Sequence, residues 1–365
     1  MAKPTVPRGV PAVTALLASP PIAALIGDLT ATRWTGRPGY PIRAMVGMAL
    51  VKSLYGFPTW TRTVRLVAEH DGLQAALGCA PSLDACYRFT RKLRAHDDLL
   101  QAAIGQTLDG LAAAVPEFGA TVAIDGSDLP AYANGQRYVS RGGRLRERFS
   151  DPEATWGHRS SISTRSGGGY YGYKVHAAVC TTTGLPVAWQ VETASTSETS
   201  IAPALLDVAG RRSEVRFAVM DRGYDTEAMH TACEDRGVRP VISLRQTPAV
   251  KQGRHLPRTC EHGTWTFAGS DAKRGASKWR CPTGDCTPGS EWVKADRLHP
   301  LVPRTTVRFK ALYHQRGAVE REFGRLKHEW SMLPLRVRGM ARVRLHVDLT
   351  VLARLGSYLL AVTGR

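Results

Sequence analysis

Acidic side chains are the scarce charge in this chain: 31 Asp and Glu face 49 Lys and Arg across 365 residues, leaving a formal net charge of +18. That deficit points to a polyanionic partner. Cysteine is sparse as well, seven in all, and Cys79, Cys86, Cys180 and Cys233 each stand alone in apolar or helical surroundings. So odd and scattered a set excludes a disulfide framework and suits a reducing compartment. Long apolar runs are missing, each being interrupted by charge or proline short of the roughly 18 residues that a membrane span needs. Met1 to Thr30 lacks the basic segment and compact apolar stretch of an export signal. A cytoplasmic protein with no membrane partner is expected. Internal repeats and low-complexity blocks are absent too, so organisation has to be read from periodicity.

Apolar residues make up 43% of the chain, enough for a full core and, at roughly 100–200 residues per domain, for two or three domains. From Pro41 to about Leu111 the spacing is helical, with breaks at Phe57-Pro58, Asp71-Gly72 and Ala80-Pro81, predicting an all-α N-terminal domain within residues 1–118. The proline-rich first thirty residues and Ser166 to Gly169 read as flexible connections. After Pro116 short apolar runs end in Gly or Asp: Thr121–Asp125, Tyr171–Cys180, Leu185–Val191, Val215–Asp221 and Val238–Ser243. Helical stretches at Ser200 to Ala209 and Thr226 to Arg236 give the order β-β-β-α-β-α-β, an α/β fold with a mixed sheet over residues 119–244. Residues 245–305, rich in Pro, Gly, Trp and Cys, read as a β-rich insertion before a strong helix from about Phe309 to Trp330 and a packing helix over 345–362, both in the closing segment 306–365.

Two strands finish alike, in Asp125-Gly126 and Asp221-Arg-Gly223. Burying such a carboxylate unpaired costs on the order of several kcal/mol, so it must meet a cation, a metal or hydrogen-bond donors. Capping a turn or the following helix is the plain alternative, and Asp128 and Asp225 lie close enough to be mistaken for the working pair. In the late helix Tyr313, Arg316, Glu320 and Lys327 stand at offsets 0, 3, 7 and 14. At about 100° per residue these fall at about 0°, −60°, −20° and −40°, one narrow stripe of a straight helix. An exposed ion-pair helix remains the alternative, since Arg316 and Glu320 are an i,i+4 pair. Glu322 lies about 200° around the helix from Glu320, so Glu322→Gln is expected to remain active. Arg88, Arg91, Lys92 and Arg94, beside Tyr87 and Phe89, suit phosphate contact or simply a solvated helix face.

The spacing Tyr-x2-Arg-x3-Glu-x6-Lys over residues 313–327 resembles the signature of insertion-sequence transposases of the Asp-Asp-Glu type. Ile124-Asp-Gly-Ser127, Tyr173-Lys-Val-His176 and Met220 to Asp225 resemble the family's recurring phrases, and Gly36 to Leu93 resembles the helical domain often found ahead of such cores. The resemblance, from about residue 119 onward, implies a ribonuclease H-like core with Asp125, Asp221 and Glu320 as the catalytic and metal-binding acids. It implies cleavage at transposon ends and strand transfer into target DNA, with terminal inverted repeats and target DNA as partners, a homodimer in a synaptic complex, and a nucleoid-associated protein. Clustered carboxylates need cations, and hard oxygen ligands select Mg²⁺ or Mn²⁺. Two ions roughly 3.5–4 Å apart suit in-line attack on a phosphodiester. Arg316 and Lys327 would hold phosphates, Tyr313 would donate to or stack near the DNA end, and residues 1–118 would recognise the ends.

Within the insertion, Cys260, His262, Cys281 and Cys286 form a candidate structural zinc site, against the alternative of reduced cysteines in a β module. A ribonuclease H-like nuclease that cuts without joining, and a non-catalytic DNA-binding protein, are the competing functional readings.

Overall fold

The computed structural model describes residues 9–32, 39–139, 143–159 and 166–364. Gly36 to Pro38, at the start of the expected helical domain, lie outside them. Seven helices come first: α1 (Gly9–Ala18), α2 (Pro20–Ala31), α3 (Ile42–Leu54), α4 (Trp60–Glu69), α5 (Asp71–Leu77), α6 (Leu83–Ala95) and α7 (Asp97–Ala114). From Gly9 onward α1 and α2 correct the expectation of a flexible start, residues 1–8 lying outside the described residues. Pro20 and Pro21 occupy the opening positions of a helix, where a missing N–H costs nothing. Leu16, Leu17, Ile22 and Leu29 are almost completely buried.

Strands follow: β1 (Thr121–Pro130), β2 (Thr155–Arg159), β3 (Gly168–Cys180) and β4 (Pro186–Thr193), then α8 (Glu198–Gly210), β5 (Phe217–Met220), α9 (Glu227–Glu234) and β6 (Arg239–Ile242). β2 escaped the periodicity reading because its short run, Thr-Trp-Gly-His-Arg, has no continuous apolar face. Gly168 and Gly169 open β3 and are not a linker. The sheet runs β3-β1-β5-β6, with β2 and β4 on successive parts of the outer side of β3. β3 is antiparallel to β1 and β4, whereas β1, β5 and β6 are parallel, as strands separated by crossover helices must be.

The insertion contains a short helix, α10 (Pro248–Lys251), a two-stranded ribbon of β7 (Thr259–Cys260) and β8 (Gly263–Thr264), and a three-stranded sheet of β9 (Thr266–Asp271), β10 (Ala276–Arg280) and β11 (Ser290–Lys294). Trp265, Trp279 and Cys281 form a small core of their own there. The chain closes with α11 (Val307–His314), α12 (Gly317–His328) and α13 (Met340–Thr363).

α13 is long and apolar enough to cross a membrane, contrary to the sequence reading, yet 61% of its most apolar window is buried inside the protein. Its buried polar groups are matched internally: Asp348 accepts from Trp189 Nε1 at 2.7 Å, and Arg354 donates to Glu322 at 2.9 Å. α13 packs on α3, α7 and β4. One continuous apolar core therefore joins the first helices to the sheet, from Val13 to Leu360.

Candidate active site

Strand register brings the two aspartates together. β1 and β5 pair in parallel with Thr121 opposite Phe217 and Ala123 opposite Val219. Two residues beyond the last paired position lie Asp125 on β1 and Asp221 just past the end of β5, near enough for the charge of Asp221 to act on Asp125. The Gly126 N–H donates to Asp125 Oδ1 at 2.8 Å, and the Gly223 N–H donates to Asp221 Oδ1 at 2.7 Å. Asp221 thus also caps the 3₁₀ turn Arg222–Tyr224. The capping alternative and the clustering coexist at that residue.

A third carboxylate at this point, Glu198, carried no signal in the sequence, because an acid in the first turn of a helix is ordinary. Glu198 opens α8 and accepts from Lys174 Nζ at 2.9 Å. A Cβ added at Gly126 would lie 2.9 Å from Glu198 Oε1, so the absence of a side chain there lets this acid approach β1. Burial pushes the Asp125 carboxyl up to about 7, the charge of Glu198 and then that of Asp221 adding to the effect. The Gly126 N–H and Arg316 oppose it. The phenol of Tyr224, itself buried, is raised by burial and by the charges of Asp125, Glu198 and Asp221.

Arg316 carries the site over to Glu320. Its guanidinium donates to Glu320 Oε1 at 2.7 Å and stands 3.8 Å from Asp125 Oδ2. Glu320 is 55% exposed. The straight stripe predicted for residues 313–327 is interrupted: α11 ends at His314 and α12 starts at Gly317, with Arg316 between them. Glycine weakens the helix locally, and Gln315 is drawn aside by Thr181, whose hydroxyl donates to Gln315 Oε1 at 2.7 Å. Within α11 Tyr313 stacks on Phe309, ring centroids 5.6 Å apart, and packs against the cluster of Phe217, Val219 and Val241, while staying close enough to Arg316 to influence its charge. Lys327, two turns beyond Glu320, is buried with its Nζ 3.3 Å from Asp128 Oδ1. Asp128 also accepts from Arg159 at 3.0 Å.

The other neighbouring acids have partners away from this cluster. Asp225 is buried and ion-paired to Arg297 at 2.6 Å and Arg304 at 3.0 Å, with His230 Nε2 at 3.2 Å, a knot that ties the end of the insertion to the core. Glu322, expected to stand apart from the chemistry, has a structural partner: it is fully buried and takes Arg354 through both carboxylate oxygens, at 2.9 and 3.3 Å. A helical wheel places it opposite Glu320 but cannot say that this side faces α13.

The predicted cations of α6 divide. Tyr87, Arg91 and Arg94, at i, i+4 and i+7, line a groove of about 510 Å³. Lys92 turns away and donates to the Leu29 carbonyl at 3.0 Å. Arg88 is exposed beside the groove without lining it. From the far end of the chain the groove receives Arg336, Arg338 and Arg342, which periodicity did not single out. Arg336 and Arg338 lie over the Tyr132 ring, at 5.1 and 4.9 Å. Burial, and the nearby charges of Arg342 and Arg91, push the Arg94 guanidinium down. None of these five arginines is ion-paired to a described carboxylate. Of the four candidate zinc ligands, Cys260, Cys281 and Cys286 come together, whereas His262 stays outside their cluster.

Residues 116–355 match the family model described as the transposase DDE domain. No curated protein matches the chain. Among solved structures it is similar to the piggyBac transposase synaptic complex with hairpin DNA, at 11% identity over 99% of this chain and 77% of the other, with a TM-score of 0.44, a likeness too distant to carry an argument. The family model covers about two thirds of the residues, and the chain belongs to the transposase DDE domain family.

Proposed function

We propose that this transposase cuts the phosphodiester backbone at transposon ends and joins the freed 3′-hydroxyl to target DNA, using Asp125, Asp221 and Glu320 in a ribonuclease H-like core. The observation that carries the reading is the gathering of acids at the Asp125 end of the sheet, where the bare backbone of Gly126 admits Glu198 and Arg316 bridges from 3.8 Å off Asp125 Oδ2 to Glu320 Oε1 at 2.7 Å. The strand order, with two acids side by side on adjacent parallel strands and a third reached through Arg316, supports the core assignment. We keep 1–118, 119–244, 245–305 and 306–365 as its functional division, and the signature of Tyr313, Arg316, Glu320 and Lys327 as that of an insertion-sequence enzyme.

The donor set fits divalent ions. Asp125, Asp221, Glu198 and Glu320 supply four carboxylates against the two cations Lys174 and Arg316, an imbalance that two Mg²⁺ or Mn²⁺ would reverse. When bound, such ions activate a hydroxyl and stabilise the leaving oxygen. Arg316 holds Glu320 near Asp125, and Lys174 holds Glu198 at the rim. Arg316 is also the cation placed to meet a phosphate, while Lys327 reaches one only by releasing Asp128. Tyr313, stacked on Phe309, orients α11 and offers its hydroxyl at that edge.

Joining of labelled transposon ends to plasmid DNA in Mg²⁺ tests the reading. Strand-transfer products support it, and cleaved ends that are never joined would make the protein a nuclease. Assembly as a homodimer on paired ends, at the nucleoid, belongs to the same proposal.

The pH response follows from Asp125. Its folded carboxyl titrates near 7 against an ordinary 3.8, so between about pH 4 and 7 the folded chain retains a proton that the unfolded chain has lost. Stability of the metal-free protein should fall as pH rises through that window. Mg²⁺ needs the ionised form, so its stabilising effect in thermal denaturation should grow from about pH 6 to pH 8. Glu198→Gln should move that growth to lower pH. A Mg²⁺ effect of equal size across the range would count against the site.

For the DNA ends, the groove between α6 and residues 336–342 is the proposed contact, its arginines being crowded without acids to neutralise them. Arg88 and Lys92 flank it. Arg91→Ala with Arg338→Ala should weaken end binding by about 1.5–3 kcal/mol per contact and reduce the slope of log affinity against log salt by about one per lost phosphate contact. Fluorescence anisotropy at a series of salt concentrations reads both. An unchanged slope would remove the groove from the interface.

A further inference from the structure

The insertion holds a second cluster of ligand-type atoms, far in chemistry from the oxygen site. The Sγ atoms of Cys260, Cys281 and Cys286 all lie within 4.8 Å of one another. Cys260 ends β7 at the β-turn into β8, while Cys281 and Cys286 bracket the start of the loop from β10 to β11. Cys260, 21 residues before Cys281, is thus drawn by the fold to the same point as the other two.

The separation of the sulfurs distinguishes between their uses. Cys260 Sγ and Cys281 Sγ are 3.8 Å apart, far beyond the roughly 2.05 Å of a disulfide. Two thiolates bound tetrahedrally at about 2.3 Å from one zinc ion stand about 3.8 Å apart. The thiols are free, and a third sulfur shares the point, which a simple disulfide does not require. Next to them Trp265 and Trp279 make up most of a very small core. A ribbon of two residues per strand, such as β7–β8, is marginal by itself, and small modules of this kind are usually held by a metal or disulfides.

We infer that the insertion is a structural zinc module in which Cys260, Cys281 and Cys286 bind one ion and His262 supplies the fourth ligand. His262 follows Cys260 by two residues in the same turn, and its Nε2 is buried with no hydrogen-bond partner among the described residues, Glu261 Oε1 standing 3.8 Å away. Its ring has to swing toward the sulfurs, a side-chain movement within one turn. With four protein ligands no position is open for chemistry, so the ion fastens the β7–β8 turn to the β10–β11 loop and takes no part in catalysis.

The test uses the full-length chain. Metal analysis of protein prepared with zinc should find about one ion per chain, and Cys281→Ser should lose it. Replacement by Co²⁺ should give the intense visible bands of a tetrahedral thiolate site, and His262→Ala should weaken Co²⁺ binding on the order of tenfold or more. Zinc well below one per chain together with no tetrahedral Co²⁺ spectrum would overturn the site. So would a Cys260–Cys281 disulfide found by mass spectrometry in protein purified without oxidant. An unchanged Co²⁺ spectrum and affinity in His262→Ala would overturn the assignment of the fourth ligand. The wild-type cobalt spectrum decides the matter even where a cysteine variant fails to fold.

Discussion

Asp125→Asn, Asp221→Asn and Glu320→Gln are each expected to lower Mg²⁺-dependent cleavage and joining of transposon ends by at least about 10³-fold. Each keeps the side-chain size and removes a charge that would hold a divalent ion. DNA binding should stay intact or strengthen slightly, because a carboxylate facing phosphate repels it until a cation intervenes. Asp125→Asn has a further consequence: it removes the like-charge and burial cost that raises this carboxyl to about 7, so the metal-free variant should melt higher than the parent at pH 8. Arg316→Ala behaves differently. It releases Glu320 and leaves Asp125 without its nearest cation, so both chemistry and assembly on the ends should suffer. Gel assays of cleavage and joining, run beside binding titrations, separate these effects. Near-normal strand transfer by Glu320→Gln would refute the site.

Glu322→Gln is expected to be the most destabilising exchange on α12, by about 3–5 kcal/mol, as is usual when one partner of a buried ion pair is removed. The neutral amide leaves Arg354, which is 5% exposed, without its bidentate partner. Arg325 loses a contact at 3.4 Å as well. Denaturant unfolding followed by tryptophan fluorescence measures the loss. Replacing both residues, Glu322→Met with Arg354→Met, should recover much of it, since an apolar pair needs no compensation. If Glu322→Gln alone unfolds at the parental midpoint, the pair does not brace α12 against α13. Glu320, only two residues away, is exposed and should cost little stability when changed, which makes the two neighbours a direct contrast between the proposed metal-binding acid and a structural one.

Composition, periodicity and residue type determined a large part of this protein. The charge excess, the helical first third, the strand segments leading to Asp125 and Asp221, the crossover helices and the β-rich insertion all follow from local preference, which operates over a few residues and is written in their order, although β1 runs on past Asp125 to Pro130 instead of ending there. Chemical type and spacing singled out Asp125, Asp221, Glu320 and four candidate zinc ligands, of which the fold clusters the three cysteines. Tertiary structure decided what distance in sequence conceals. Register between β1 and β5 set Asp125 beside Asp221, and the bare backbone of Gly126 admitted Glu198, an acid that looks like any other helix-opening residue. A tight turn at Gln315 and Arg316 split the expected helix in two, and the buried end of α12 gave Lys327 to Asp128. Packing against α13 turned Glu322 from a surface acid into a buried one. Arg336, Arg338 and Arg342 met Arg91 and Arg94 only because both ends of the chain share one core. In each case the deciding interaction joins residues far apart in the chain, and its energy depends on burial and on the charges around it, neither of which exists until the chain has folded.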